Sequence, residues 1–351
     1  MIVEGFRPTL EMLRLVGELD EFKGAWRLLS NISPERLAAL KHVATIESIG
    51  SSTRIEGAAL SDEQVEALLS GIQKKSFRSR DEQEVAGYAD VMDTVFKNWQ
   101  HIPLTENQIK QLHRDLLKYS SKDDRHRGNY KTLPNNVEAF GPNGESLGVV
   151  FKTATPFDTP YKMTELMSWT NEMLDSSAVH PLLVTAVFVA MFLAVHPFQD
   201  GNGRLSRVLT MLLLLKKGYA YVPYSSLESV IESNKEGYYL ALRRTQGSLE
   251  SDNPDWDPWI QFFLQSMQRQ KANLQLKLSR ERIFEGELPA LSVRILELVR
   301  EHGRVKTSDI ESLTGESRST IKVRLNELVQ RRLLARFGKG PGTWYALAKE
   351  S

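Results

Sequence analysis

The sequence predicts a mainly α chain with one small β-hairpin and a C-terminal winged-helix domain. Three observations carry this. Apolar residues recur at helical spacing through most of residues 1–270, with capping sequences such as Ser61-Asp62-Glu63-Gln64 and Thr105-Glu106-Asn107-Gln108 opening helices. Glycines and prolines crowd instead into 123–160, where Gly141-Pro142-Asn143-Gly144 is a strong turn signal between two β-compatible segments. Beyond residue 289 the order is three short helices, strand, turn, strand, the pattern of a winged helix-turn-helix.

Taken in order, residues 10–30 mix apolar and charged positions at helical spacing. Pro34 suits the first turn of a helix capped by Ser33, which Leu37, Leu40, Ala44 and Glu47 carry towards Gly57, a C-terminal stop. Residues 81–99 form an amphipathic helix with Val85, Tyr88, Ala89, Met92 and Phe96 on one side. Segments 136–140 and 149–153 pair as the hairpin, and helices resume at 164–174, 182–195, 204–217, 233–245 and 258–270. A charged connector leads to helices at 291–301, 307–313 and 319–332, then to a ribbon. The expected division is an N-terminal helical region 1–79, a core 80–270, a helical connector 271–288 and the winged helix 289–351.

Composition narrows the function classes. The chain has 351 residues, enough for two or three domains, and a net charge of +1, so any preference for nucleic acid must be local. The absence of cysteine excludes disulfides, thiolate metal sites and cysteine nucleophiles. Glu4 and Glu11 interrupt the N-terminus, which is not expected to be a signal peptide. The apolar run 182–195 is too short to span a bilayer, so no membrane association and a cytoplasmic location are expected.

Chemistry concentrates in His196-Pro197-Phe198-Gln199-Asp200-Gly201-Asn202-Gly203-Arg204-Leu205-Ser206-Arg207. Between two apolar runs this reads as helix, tight polar turn, helix. Glycine-freed N–H groups and the second helix's dipole make an anion site. The arginines suit phosphate, Asp200 a divalent cation, and His196 the role of a base at neutral pH. Cations in a first helical turn are disfavoured unless an anion is bound.

These twelve residues resemble the signature HxFx(D/E)GNGRxxR of Fic-domain proteins at every fixed position. Arg127-Gly128-Asn129-Tyr130, Asn234, Tyr238-Tyr239 and Trp259 to Leu264 agree, and the resemblance covers roughly residues 35–270. It implies a Fic helical core whose hairpin is a flap, and a nucleotidyltransferase moving AMP from ATP to a Ser, Thr or Tyr hydroxyl of a target protein. His196 would be the catalytic base and Asp200 the Mg²⁺ ligand. Gly201, Asn202 and Gly203 would form the anion nest, with Arg204 on the β-phosphate and Arg207 on the γ-phosphate. Phe198 would anchor the loop in the core. Relatives that transfer the γ-phosphate carry lysine at the position of Gly203, so glycine there implies nucleotidyl transfer. The flap, about Thr132–Thr153, would hold the target segment by strand addition. Tyr239 would line the adenine pocket, although Gln246 stands where relatives often place asparagine.

Ser52-Thr53-Arg54-Ile55-Glu56-Gly57 resembles the inhibitory motif (S/T)xxxE(G/N) of self-inhibited Fic proteins. The resemblance implies an N-terminal inhibitory helix (about 34–57) in which Ser52 and Glu56 act, Glu56 pairing with Arg207. The same glutamate would serve an enzyme that also removes AMP. Residues 289–351 carry twelve Lys/Arg against seven Asp/Glu. Arg318, Ser319, Thr320, Lys322 and Arg324, capped by Ser317, mark a recognition helix, with Arg336 and Lys339 on the wing. DNA binding and protein docking both remain open for this domain, as does a nucleotide-sensing transcriptional regulator for the whole chain. Whether the chain forms a homodimer is also open.

Overall fold

The computed structural model describes residues 6–28, 34–71, 77, 79–140, 146–286, 289–331, 333–338 and 340–348. The chain divides into two compact units, Met1–Leu274 and Gln275–Ser351. The fold is mainly α, as expected.

The first unit opens with α1 (Leu10–Leu28), α2 (Pro34–Ile55), α3 (Asp62–Gly71), α4 (Arg80–Asn98) and α5 (Glu106–Leu116). Pro34 is the first residue of α2, while Ser33 lies outside the described residues. The two capping sequences do what their spacing predicts. The Gln64 amide N–H donates to Ser61 Oγ while the Ser61 N–H donates to Gln64 Oε1, and Thr105 Oγ1 accepts from Gln108 N–H. A hairpin follows, β1 (Val137–Phe140) antiparallel to β2 (Ser146–Phe151), with Val137 opposite Phe151. The 141–144 turn lies outside the described residues.

Next come α6 (Thr159–Ser176), α7 (Pro181–Val195), α8 (Asn202–Lys216), α9 (Leu227–Glu232), α10 (Lys235–Ser248) and α11 (Asp257–Gly286). α7 carries no charged residue and is buried from Leu182 to Ala190 and again from Phe192 to Val195. A helix apolar on every face must be enclosed by others; α6, α8 and α10 pack around it. α2 lies against α9, α4 and α8, and ten of its residues are buried, Ser48 to Thr53 without a break. The helix expected at 233–245 is α10, and the short α9 before it was not expected. Ser226 caps α9 by accepting from Ser229 N–H, and the chain turns at Ser233-Asn234 before α10. The connector expected from residue 271 is, as far as Gly286, the continuation of α11.

In the second unit α12 (Ala290–His302), α13 (Thr307–Thr314) and α14 (Arg318–Gln330) precede β3 (Leu334–Phe337) and its antiparallel partner β4 (Trp344–Leu347). Ile295, Val299, Ile310, Ile321, Leu325 and Leu328 form its core. Ser317 caps α14, accepting from Thr320 N–H. Arg318, Ser319 and Lys322 are exposed, whereas Arg324 is paired with Glu327 at 2.8 Å. Arg336 is exposed on β3, and Lys339 lies outside the described residues. Among the described residues, no helix is long and apolar enough to cross a membrane.

Candidate active site

α7 ends at His196, whose backbone takes the left-handed conformation (φ 51°, ψ 59°) while its N–H donates to Phe192 O at 2.8 Å. A non-glycine residue there is uncommon and mildly strained, and the turn drives the chain straight into the loop. Nδ1 lies 3.3 Å from Leu193 O. A carbonyl can only accept, so Nδ1 carries the proton and Nε2 keeps its lone pair. Burial, reinforced by the Lys131 ammonium, pushes this imidazole down to about 4, against the pull of the Leu193 bond. It is neutral at physiological pH, as a base must be.

The loop after His196 is tied from three sides. Phe198 is fully buried and stacks on His113, ring centroids 3.8 Å apart. Asn202, at the start of α8, closes the loop with its side chain: Oδ1 accepts from Phe198 N–H at 2.9 Å and Nδ2 donates to Phe198 O at 2.6 Å. Gly201 caps α8 at φ 79°, a conformation suited to glycine. His113 accepts from Gly128 N–H on Nδ1 (2.8 Å), which leaves Nε2–H to donate to Asp200 O (2.9 Å). Burial holds its imidazole down to about 4 as well.

Lys131 and Asn135 mount the hairpin on the same loop. Lys131 Nζ donates to Val195 O (2.9 Å), Asn135 Oδ1 (2.7 Å) and Thr153 Oγ1 (3.0 Å). Asn135 Nδ2 donates to the carbonyls of His196 (3.1 Å) and Phe198 (2.6 Å). The hairpin base is therefore fixed to the residues flanking the imidazole, and Val137 and Phe151 line the cleft beneath it.

That cleft, of about 240 Å³, is also lined by His196, Asp200, Gly203, Tyr239, Gln246 and Glu56. Tyr238 and Tyr239 diverge as adjacent helical positions must: Tyr238 is buried and Tyr239 exposed. Arg204 and Arg207 sit almost fully buried in the first turns of α8. Arg207 Nε donates to Ser52 Oγ (2.7 Å), and Nη2 donates to Ser52 O (2.9 Å) and Glu56 Oε1 (2.8 Å). Burial opposes its charge, yet the negative field of Glu56, with Tyr238 and Tyr88, holds the guanidinium more firmly protonated than usual. The Glu56 carboxylate also covers Gly203, where a Cβ would come within 2.1 Å of Oε1. The space a lysine at 203 would need is thus taken by the chain's own acid.

Asp200 Oδ1 accepts from Gly201 N–H (2.6 Å), and Oδ2 accepts from Arg80 Nη2 (2.9 Å). Burial works against its ionisation, but Arg204, the Gly201 N–H and Arg80 keep the carboxyl below its ordinary range. One carboxylate beside an anion-binding helix end is the donor set Mg²⁺ takes when substrate phosphates complete its shell, so the residues fit that ion. Among the described residues, no group of three or more His, Cys, Asp or Glu is gathered for a metal.

Of the residues singled out in the sequence, Glu56, His196, Asp200, Gly201, Asn202, Gly203 and Tyr239 line this cleft, while Arg204 reaches Asp200 and Arg207 holds Ser52 and Glu56. Arg80, Glu84, His113, Lys131 and Asn135 also shape it. So does Arg54, whose guanidinium makes a bidentate pair with Glu232 (2.7 and 3.0 Å) and reaches Asp62 (2.9 Å), bolting the end of α2 to α9 and α3. The partners that give Arg80, Glu84 and Arg54 their places, Asp200, Arg204 and Glu232, are remote along the chain.

Residues 103–214 match the sequence model of the Fic/DOC family. A protein adenylyltransferase Fic from Drosophila virilis is 29% identical over 213 residues, 60% of this chain and 41% of that protein. The chain thus spans about two fifths of the length of such curated relatives. A Fic family protein from Desulfovibrio desulfuricans superposes with a TM-score of 0.63 at 22% identity, covering 99% of this chain and 98% of the other. A Fic domain containing signaling protein from Bacteroides thetaiotaomicron does so at 0.58 and 24%, over 74% and 97%. These likenesses share the fold described above, and with the signature loop folded at the head of α8 the chain carries a Fic/DOC family domain.

Proposed function

We propose that the protein is an adenylyltransferase that moves AMP from ATP to a hydroxyl of a target protein and is held off by Glu56. The observation that carries this reading is the Glu56 carboxylate lying on Arg207 and over Gly203, the position an anionic substrate group would take at the head of α8.

His196 Nε2 takes the proton of the target's Ser, Thr or Tyr hydroxyl. The oxygen attacks the α-phosphorus in line, a P–O bond forms, the bond to the bridging oxygen breaks, and pyrophosphate leaves. Arg204 holds the β-phosphate and Arg207 the γ-phosphate, with Gly201, Asn202 and Gly203 presenting the helix N-terminus. Asn202 contributes through the backbone, since its side chain is spent on Phe198. Asp200 would hold Mg²⁺, whose charge favours the phosphate oxygens on the way to the transition state. Tyr239 borders the adenine. The target segment docks along the hairpin, whose base is fixed to the His196 loop, so strand and base keep a set spacing.

With Glu56 in place, the γ-phosphate cannot reach Arg207, and ATP binds misaligned or not at all. Charge-assisted bonds of this kind are worth on the order of 1–3 kcal/mol, enough to keep the resting state off. The test is intact-mass measurement after incubation with ATP and Mg²⁺, for wild type and Glu56→Gly. Expected is a gain of one AMP mass, on the protein or an added target, in Glu56→Gly well above wild type, and none in Glu56→Gly/His196→Ala. No gain in Glu56→Gly would sink the reading.

A further inference from the structure

Arg80 and Glu84, one turn apart on α4, complete a closed ring of four charges with the loop. Asp200 Oδ2 meets Arg80 Nη2 at 2.9 Å, and Arg80 Nε meets Glu84 Oε1 at 2.7 Å. Glu84 Oε2 meets Arg204 Nη1 at 3.0 Å, and Arg204 Nη2 returns to Asp200 Oδ1 at 3.4 Å. Oδ1 is committed to the Gly201 backbone, so Oδ2 is the oxygen left to face an incoming cation, and Arg80 holds it. The side chains of Arg204 and Glu84 are 3% and 11% exposed, those of Arg80 and Asp200 50% and 35%; the ring is closed inside and open to solvent at this one link.

We propose that Arg80 is a resident rival of the divalent cation at Asp200. The inference rests on the reading of Asp200 as a metal ligand. A guanidinium and a dication on one carboxylate oxygen repel each other at close range, so the metal enters by displacing the Nη2 end of Arg80. Glu84 keeps hold of Nε, and the displaced group stays beside the site. In the empty state Arg80 holds Asp200 ionised and aimed. In the loaded state its Nη2 end is released at the rim while Glu84 still holds Nε. Metal affinity is therefore set by a competition inside the protein.

The experiment is a Mn²⁺ titration, read by the electron paramagnetic resonance signal of free Mn²⁺. The protein is full-length Glu56→Gly saturated with a non-hydrolysable ATP analogue. Arg80→Ala and Arg80→Gln should each tighten Mn²⁺ about two- to fivefold, the range for a half-exposed ion pair. Lys122→Ala removes a neighbouring positive charge that also favours the Asp200 carboxylate, and it should tighten Mn²⁺ clearly less. Unchanged or weaker binding in both Arg80 variants, or equal tightening in Lys122→Ala, would overturn the proposal while leaving Asp200 as a ligand. Asp200→Asn should weaken Mn²⁺ tenfold or more. No effect there would remove the metal reading itself.

Discussion

Arg204 and Arg207 stand one turn apart on α8, yet the two sides of the loop they serve are built differently. Arg207 meets one carboxylate and both oxygens of Ser52, supplied by α2, a helix with ten buried residues, and by Glu56 directly after it. Arg204 belongs to a ring with two carboxylates and a second arginine, open to water at Arg80–Asp200. The ring has more ion pairs but the weaker hold, because solvent screens its outer link and other cations can compete there. The inner contact is shielded and positioned by core packing. Its release is therefore a rotation of the Glu56 side chain, 32% exposed at the end of α2, and not a departure of the helix.

The largest test of this contrast acts on the inner contact. Glu56→Gly should raise AMP transfer tenfold or more, measured with radiolabelled ATP, whereas breaking the rim with Glu84→Gln should leave resting activity low.

Next in size is an acid effect common to the loop that joins the two sides. His113 and His196 both sit near 4, against about 6.5 in the unfolded chain. Between those values the unfolded state binds more protons, so stability is full above pH 6.5 and falls as pH drops towards 4, by on the order of 2–3 kcal/mol for each imidazole. Thermal melts from pH 7.5 to 4.5 should show Tm falling through this window, with a smaller fall in His113→Gln. Over the same range kcat/KM of Glu56→Gly should hold down to about pH 5.5, since a base near 4 stays unprotonated where an ordinary imidazole would not. An acid limb centred at 6.5 would break the assignment.

Smaller still is the latch. Glu232→Gln weakens the bidentate grip on Arg54 and loosens the end of α2, so resting transfer should rise about two- to fivefold with Glu56 intact. Smallest is salt. The ratio of Glu56→Gly to wild-type activity should change less than twofold between 50 and 500 mM NaCl, because the Arg207 end of the inner contact is buried. A ratio collapsing with salt would place the brake at the surface.

Much of this was legible in the sequence where chemistry is written locally. The loop from His196 to Arg207, the Ser52 and Glu56 pair, the hairpin between glycines and prolines, and the three-helix-and-ribbon tail all carry short-range signals. The short helix α9 was not, because six residues leave too few positions for a periodic pattern. The ring and latch residues were invisible for another reason. No short-range signal gives Arg80, Glu84 and Arg54 their roles, and only the packing of α4 and α2 against the loop and α9 gives them partners 120, 120 and 178 positions away. His113 likewise shows its role only in the fold, where Phe198 lies on its ring.

The burial of α2 carries a consequence for descent. Ile49, Ser52, Thr53 and Ile55 belong to the core that α4, α8 and α9 share, so if Glu56 is the brake proposed above, a lineage cannot shed it by deleting the segment without losing the catalyst too. Constitutive activity is instead one codon away, at a partly exposed carboxylate whose replacement disturbs little packing. On that reading regulation is hard to lose by excision and easy to lose by point change, so Glu56 itself is the position on which quiescence depends.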